Sequence, residues 1–319
     1  MKIIRIPIFL FPWEMDSFQD MVNQLKLCSN FIKENKKYKV VVDVTLNISN
    51  KAVNWDNSLL KKEFFINSFK NICKKLNYFL QTEYVIEETD KVFGCVDKRR
   101  ESVYKSSDED YVLWLDPDIF FPTHILYYMV SALDVIKDEY FVLSPQVTKM
   151  WDNSWDVITN PHYIKDDIEK RRSLDNEIFH CDMFNHAQHI NKQINILTIP
   201  TFKFSGGWFN LFSAKLLKKI GVPESFGSYG EEDTFVMQNC LILKQLGFPV
   251  NQHILNNIVI GQLQSDVYGK DFEFNKLVDI NLPSKESQAA KARKNLPIEI
   301  NKNIDKFKAE LHEQNKIKK

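Results

Sequence analysis

Apolar residues in the first third of the chain fall alternately into short dense runs and helical spacings. Ile3 to Phe11 is a short apolar run closed by Pro12, which reads as a buried strand. From Met15 to Ile32 the apolar positions Met15, Phe18, Met21, Val22 and Leu25 recur at helical spacing. Tyr38 to Val44 is β-branched and too short for a typical helix. Leu59 to Leu80 carries Phe64, Phe65, Phe69, Ile72 and Leu76 on one helical face, and Glu83 to Glu87 is a further strand. This order predicts an α/β fold, a parallel sheet with helices on its faces, which binds ligands beyond the carboxyl ends of its strands. A fourth strand, Asp110 to Leu115, runs directly into Asp116-Pro117-Asp118, with a helix from Pro122 to Ile136 and a strand from Phe141 to Pro145 behind it. Trp151 to His189 is polar, aromatic and irregular. The strand signal returns around Phe202 to Phe209, and Ala214 to Ile220 is a short helix stopped by Gly221.

Composition narrows the function classes. The 319 residues contain 42 Lys plus Arg and 42 Asp plus Glu, so the chain lacks the basic excess of a nucleic-acid binder. The five cysteines, Cys28, Cys73, Cys95, Cys181 and Cys240, include no CxxC pair, which points away from a disulfide framework and towards a cytoplasmic setting. Arg5 and Pro7 interrupt the apolar N-terminus, so it reads as a strand and not as a leader. No apolar run approaches the roughly 20 residues of a membrane span, although a peripheral membrane contact is left open for the tail. That tail, from about Lys285, is rich in lysine and asparagine and predicts an exposed helix around Asp305 to Gln314.

Two constellations carry chemistry. A strand ending in Asp116-Pro117-Asp118 puts two carboxylates on one side of an extended chain, hard donors that suit Mg²⁺ or Mn²⁺ and, through the metal, a diphosphate. The same tripeptide is also good turn chemistry. Further on, Ser205-Gly206-Gly207-Trp208 allows close approach to the backbone, and Gly230-Glu231-Glu232-Asp233 opens a helix. Those acids either complement the positive helix end or hold a general base at a substrate hydroxyl. No Gly-x-Gly-x-x-Gly fingerprint and no P-loop lysine motif occurs.

Taken in order, a strand into Asp-x-Asp, a Gly-Gly-aromatic turn, a short helix ended by glycine and a Gly-Glu-Glu-Asp segment resemble the GT-A glycosyltransferases, within them the inverting family 2-like group, over roughly Ile3 to Leu263. The resemblance implies a Rossmann-like, mixed but mostly parallel sheet. It implies a catalytic domain over 1–265, with a nucleotide-binding half at 1–118 and an acceptor half at 119–265, and a largely helical extension over 266–319. Asp118 would be the direct metal ligand, and Asp116 would face the metal or the donor ribose. Asp233 would be the catalytic base, with Glu232 orienting the acceptor or, one register earlier, acting as base itself. Gly206, Gly207 and Trp208 would line the sugar pocket, Arg99 or Arg100 would meet the nucleotide, and Pro7, Phe9 and Phe11 at the first-strand end, with the Asp43–Asn47 stretch including Asp43 and Thr45, would frame the base. The stretch Val42 to Asn47 lacks the Asp-Asp-Gly-Ser turn common in the group. His253 stands where some relatives supply a third metal ligand. The implied partners are a UDP- or GDP-sugar and a carbohydrate or glycoconjugate acceptor.

Other residues read in two ways. His180, Cys181, Asp182, His186 and His189 could donate to zinc at no recognised spacing, contact an acceptor, or sit on a surface helix. Trp151 to Asp156 mixes rings with carboxylates and suits a sugar face or a loop pinned by its tryptophans. The competing functions are a sugar nucleotidyltransferase, which would open with a glycine-rich loop absent before Trp13, and a non-catalytic carbohydrate-binding protein of the same fold.

Overall fold

The computed structural model describes residues 1–57, 61–88, 93–149, 194–202, 206–262 and 285–317. The Trp151–Asp156 and His180–His189 segments lie outside them. Among the described residues, nine strands form one mixed sheet: β1 (Lys2–Leu10), β2 (Tyr38–Asn47), β3 (Gln81–Glu87), β4 (Tyr111–Leu115), β5 (Ile119–Phe120), β6 (Tyr140–Lys149), β7 (Ile196–Ile199), β8 (Phe209–Ser213) and β9 (Val250–Gln262). The order is β3-β2-β1-β4-β8-β6-β9-β5, with β7 paired to β9. The first four strands are mutually parallel where they pair. β8 inserts antiparallel between β4 and β6, and β6 and β9 are parallel again.

Alternation along the strands sorts the molecule into two cores. Ile4, Ile6, Ile8 and Leu10 of β1, Val42, Val44 and Leu46 of β2, and Leu113 and Leu115 of β4 share one core. There they meet α1 (Met15–Ser29), α2 (Lys62–Asn77) and α4 (Ile125–Val135), which contribute Phe18, Phe69 and Tyr128. Val112 and Trp114 of β4 point the other way, into a core with α3 (Cys95–Lys105), α5 (Ala214–Ile220), α6 (Glu232–Gln245) and α7 (Lys285–Ile317). Pro7, which lacks the N–H a central strand needs, lies beyond Arg5, the last residue at which β1 pairs with β4.

Several expectations change here. α3 has no apolar stripe of any length in Cys95-Val-Asp-Lys-Arg-Arg-Glu-Ser-Val-Tyr-Lys, and the sequence pattern does not announce it. The tail is not a short solvated helix. α7 runs for 33 residues and buries Ala292 and Phe307 completely, with Leu296, Ile300 and Leu311 on the same flank. Those apolar residues recur at helical spacing, but lysines between them dilute the pattern. The strand placed around Phe202 to Phe209 instead begins at Phe209, and Gly207 and Trp208 form the turn ahead of it.

The face of β1 and β2 turned towards α3 is polar, carrying Arg5, Asp43, Thr45 and Asn47, all buried. A buried charge must be paired. Asp43 lies mid-strand, opposite Pro7, and its carboxylate accepts from Lys98 at 2.6 Å, Lys105 at 3.2 Å and Arg5 at 3.4 Å. Burial pushes the Asp43 carboxyl up, but Lys98 and then Lys105 outweigh it and hold the group below the usual carboxylate range. Its contribution to stability is therefore present above the unfolded-state value and is lost as pH falls through the lower folded one. Asp43 thus holds α3 to the sheet at mid-strand, through Lys98 and Lys105.

Asp43→Asn leaves Lys98, which is 1% exposed, with only the half-exposed Glu101 carboxylate at 3.3 Å. The expected loss is about 3–5 kcal/mol by chemical denaturation, and the double variant Asp43→Leu/Lys98→Met should recover most of it. A loss below about 1 kcal/mol in Asp43→Asn would contradict the pairing.

Candidate active site

The sheet's alternation continues past β4, so Asp116 follows Trp114 onto the α3 face. Its backbone extends the β4–β8 ladder, with Asp116 N–H donating to the Trp208 carbonyl at 3.0 Å. The Ile119 N–H then closes the Asp-Pro-Asp turn on the Asp116 carbonyl at 3.3 Å. Asp116 and Asp118 are both half-buried.

Arg99 organises what faces them. One of its terminal nitrogens donates to Asp116 Oδ1 at 2.6 Å and to the Gly207 carbonyl at 2.7 Å, and the other donates to Glu232 Oε1. The guanidinium also lies over the Trp114 ring, 4.9 Å from its centroid, a cation–π contact. Burial works against its charge, but Asp116 and Glu232 outweigh that and keep Arg99 above its ordinary value. Glu232, 4% exposed, responds the other way: burial pushes its carboxyl up to about 7, with Arg99 drawing it down and Asp233 adding to the rise.

Gly207 belongs to the same knot. A Cβ there would lie 2.4 Å from the Arg99 guanidinium, so only glycine admits this contact. The Gly207 N–H donates to Asp233 Oδ2 at 2.9 Å, and Asp233 Oδ1 accepts from the Thr234 N–H at 2.6 Å. Gly206 is tied in through its carbonyl, which accepts from Asn210 at 2.7 Å, with Ser144 donating to Asn210 at 2.6 Å. Both acids lie in the first turn of α6, where the helix dipole favours negative charge. Ahead of them Glu231 has φ 65°, the one positive-φ residue other than glycine among the described residues.

Beyond the α3-facing side of β1 lies a ledge of rings. Phe9 meets Phe11 edge-on at 4.9 Å and Phe93 at 6.1 Å, and Phe11 stacks on Trp13 at 4.4 Å. Phe93 and Trp13 were not singled out in the sequence; the period-two spacing of Phe9, Phe11 and Trp13 is the signal that could have found the latter.

The structure therefore gathers Arg99, Asp116, Gly207, Glu232 and Asp233, with Gly206 and Trp208 in the same turn. It sends other nominated residues elsewhere. Arg100 donates to the Val222 and Pro223 carbonyls and to Asp97, which makes it a clamp on the loop after α5. His253 is not brought to Asp118. It pairs with Leu143, which pairs with Leu211, which pairs with Leu113. Three strand spacings put it about 14 Å from β4, and its ring nitrogens meet Asp138 at 2.7 Å and Thr198 at 3.0 Å. Pro7 and Asp43 are buried at mid-strand opposite each other, Asp43 against Lys98 and Lys105 of α3, and Thr45 is buried opposite Phe9.

A divalent metal fits the donor chemistry of the turn. Asp116 and Asp118 supply hard carboxylate oxygens, and Mg²⁺ or Mn²⁺ is commonly held by one or two such groups with substrate phosphates completing the shell. Among the described residues there is no group of three or more His, Cys, Asp or Glu that would cage a metal without such a substrate.

No protein-family model matches the chain, and no curated protein sequence does. Solved structures of similar fold include TarS 1–349 of S. aureus in complex with UDP-GlcNAc, at 14% identity over 83% of this chain and a TM-score of 0.44. They also include GalNAc-T7 with UDP, GalNAc and Mn²⁺, at 11% identity over 83% and a TM-score of 0.43, and a mycobacterial protein at 11% over 82% and 0.40. The chain spans 59% of that TarS chain, 44% of the GalNAc-T7 chain and 67% of the mycobacterial one. At these identities and TM-scores the likeness says nothing about what this chain does. No helix among the described residues is long and apolar enough to cross a membrane.

Gly207→Ala is expected to cost about 1–3 kcal/mol, as overpacking of a closed site does. In an Arg99→Ala background the same substitution should cost much less, because the atoms it strikes are gone. Additive losses across this double-mutant cycle would show that the two residues do not meet.

Proposed function

We propose that the protein is a metal-dependent glycosyltransferase that moves a sugar from a UDP- or GDP-sugar to an acceptor hydroxyl with inversion. The observation that carries this reading is the buried cluster in which Arg99 joins the Asp-x-Asp turn to the acids that open α6. Those two motifs are far apart in sequence, and the cluster sets them side by side at the carboxyl end of β4. The rings of Phe9, Phe11, Trp13 and Phe93 gather at and beyond the carboxyl end of β1 and would offer a nucleobase an apolar surface.

The roles follow from burial and hydrogen bonding. Asp116 and Asp118 would hold the metal, which when bound would neutralise charge on the departing diphosphate. Glu232 is buried and engaged by Arg99, so it serves orientation. Asp233 is half-buried and anchored by the Gly207 and Thr234 amides, so it is the base. The acceptor oxygen attacks the anomeric carbon from the face opposite the diphosphate. As the carbon–oxygen bond to the diphosphate breaks, the hydroxyl proton passes to Asp233 and the configuration inverts. Anchoring by two amides fixes where the carboxylate stands when it receives that proton.

Binding of a nucleotide to the folded state must raise its melting temperature. A panel of nucleoside diphosphates with and without Mn²⁺ should give a metal-dependent rise for UDP or GDP that Asp118→Ala abolishes. Donor turnover in Asp233→Asn should fall about 10²–10⁴-fold while that rise persists. No shift with any nucleotide would refute the reading; a shift with no turnover in the unmodified protein would favour a non-catalytic binding protein.

A further inference from the structure

The stretch leading into the acids is short and strained, and something outside it must hold it. Gly230 has φ 96° and Glu231 φ 65°. The left-handed conformation at Glu231 costs roughly 1–2 kcal/mol, so the surroundings must enforce it. On their outer side lies α7, the helix at the far C-terminal end of the described chain.

Four contacts tie this helix to the loop. Ala289 lies so close to Gly230 that a Cβ added there would stand 3.1 Å from both its Cα and its Cβ. Arg293 donates through Nε to Glu231 Oε1 at 2.8 Å. Asn295 donates to the Ser225 carbonyl at 2.7 Å, and Ser225 Oγ donates to Glu299 at 2.9 Å. The helix therefore grips the loop at its start, Ser225, and at its end, Gly230 and Glu231. Further along, Asn303 fixes the same helix to α5 and α6 through the Ile220 carbonyl at 3.0 Å and Asn239 at 2.9 Å.

We propose that α7 is a positioning element of the reaction centre, which through Ala289 and Arg293 fixes Gly230 and Glu231 and so sets where Glu232 and Asp233 point. The catalytic part of this statement rests on the transferase reading above; the mechanical part does not. Arg293 is two-thirds exposed, so its ion pair alone contributes little, and the close packing of Ala289 is the larger share.

The test compares two variants of the full chain. Ala289→Leu wedges α7 away from Gly230, whereas Asn303→Ala loosens the same helix at its attachment to α5 and α6. Amide hydrogen exchange read by mass spectrometry should rise at least about tenfold at Thr234 and Phe235, whose N–H groups donate to Asp233 and to the Glu231 carbonyl, in Ala289→Leu and stay at the unmodified rate there in Asn303→Ala. Donor turnover should fall on the order of 10²-fold in Ala289→Leu, through kcat with donor KM nearly unchanged, since misplacement by about 1 Å carries that penalty. Unchanged exchange in Ala289→Leu, or an equal rise in both variants, overturns the proposal whether or not the protein turns over a donor. Raised exchange with kcat retained overturns its catalytic part. If the unmodified protein turns over no UDP- or GDP-sugar, the transferase reading fails and the exchange measurement alone decides the mechanical one.

Discussion

Much of the structure depends on a single buried cation. Arg99 stands between Asp116 at the end of a strand and Glu232 at the start of a helix, and without it two carboxylates would face each other in a poorly hydrated space. Removing one member of such a group typically costs about 3–5 kcal/mol, because the others are left charged and unpaired. The surroundings are fitted to it: Trp114 lies under its plane, and Gly207 gives it a carbonyl and the room to reach it. A lysine offers one point charge where this site uses a planar fork, so Lys at 99 would not reproduce the arrangement.

The neighbouring residue extends the logic. Lys98 and Arg99 are adjacent on α3, yet one reaches Asp43 on β2 and the other the end of β4. The helix thereby locks onto two places on the sheet through consecutive side chains. Its polar sequence follows from this. A helix that covers a polar sheet face has charges where a core helix has leucines.

That is also why the sequence could be read in part. Strands β1, β2 and β4 and helix α5 announce themselves through period and length, and the Asp-Pro-Asp, Gly-Gly and Glu-Glu-Asp segments stand out by composition. α3 does not, because between its buried Val96 and Val103 the buried residues are Asp97, Lys98, Arg99 and Ser102, which no hydrophobic pattern reports. Asp43 reads as a candidate ligand until the register shows it mid-strand with three cations around it. His253 misleads for a similar reason: Ile119, next to Asp118, pairs with Gln262 at the far end of β9 from His253, a register that no local pattern encodes. α7 was legible as a helix but not as part of the core, its apolar stripe being thinned by lysines.

The loop from Val222 to Glu231 is held from two directions. α3 takes its inner side, with Arg100 on the Val222 and Pro223 carbonyls and the Val96 N–H on the Ser228 carbonyl at 3.2 Å. α7 takes its outer side through Ser225, Gly230 and Glu231. A segment gripped along both flanks cannot swing like a lid, so this wall adds nothing to the expulsion of water. Glu232 is already dry behind it, and only Asp233 is left partly open. On this side the cluster is assembled in advance, and whatever reaches it meets a fixed surface and not a closing movement.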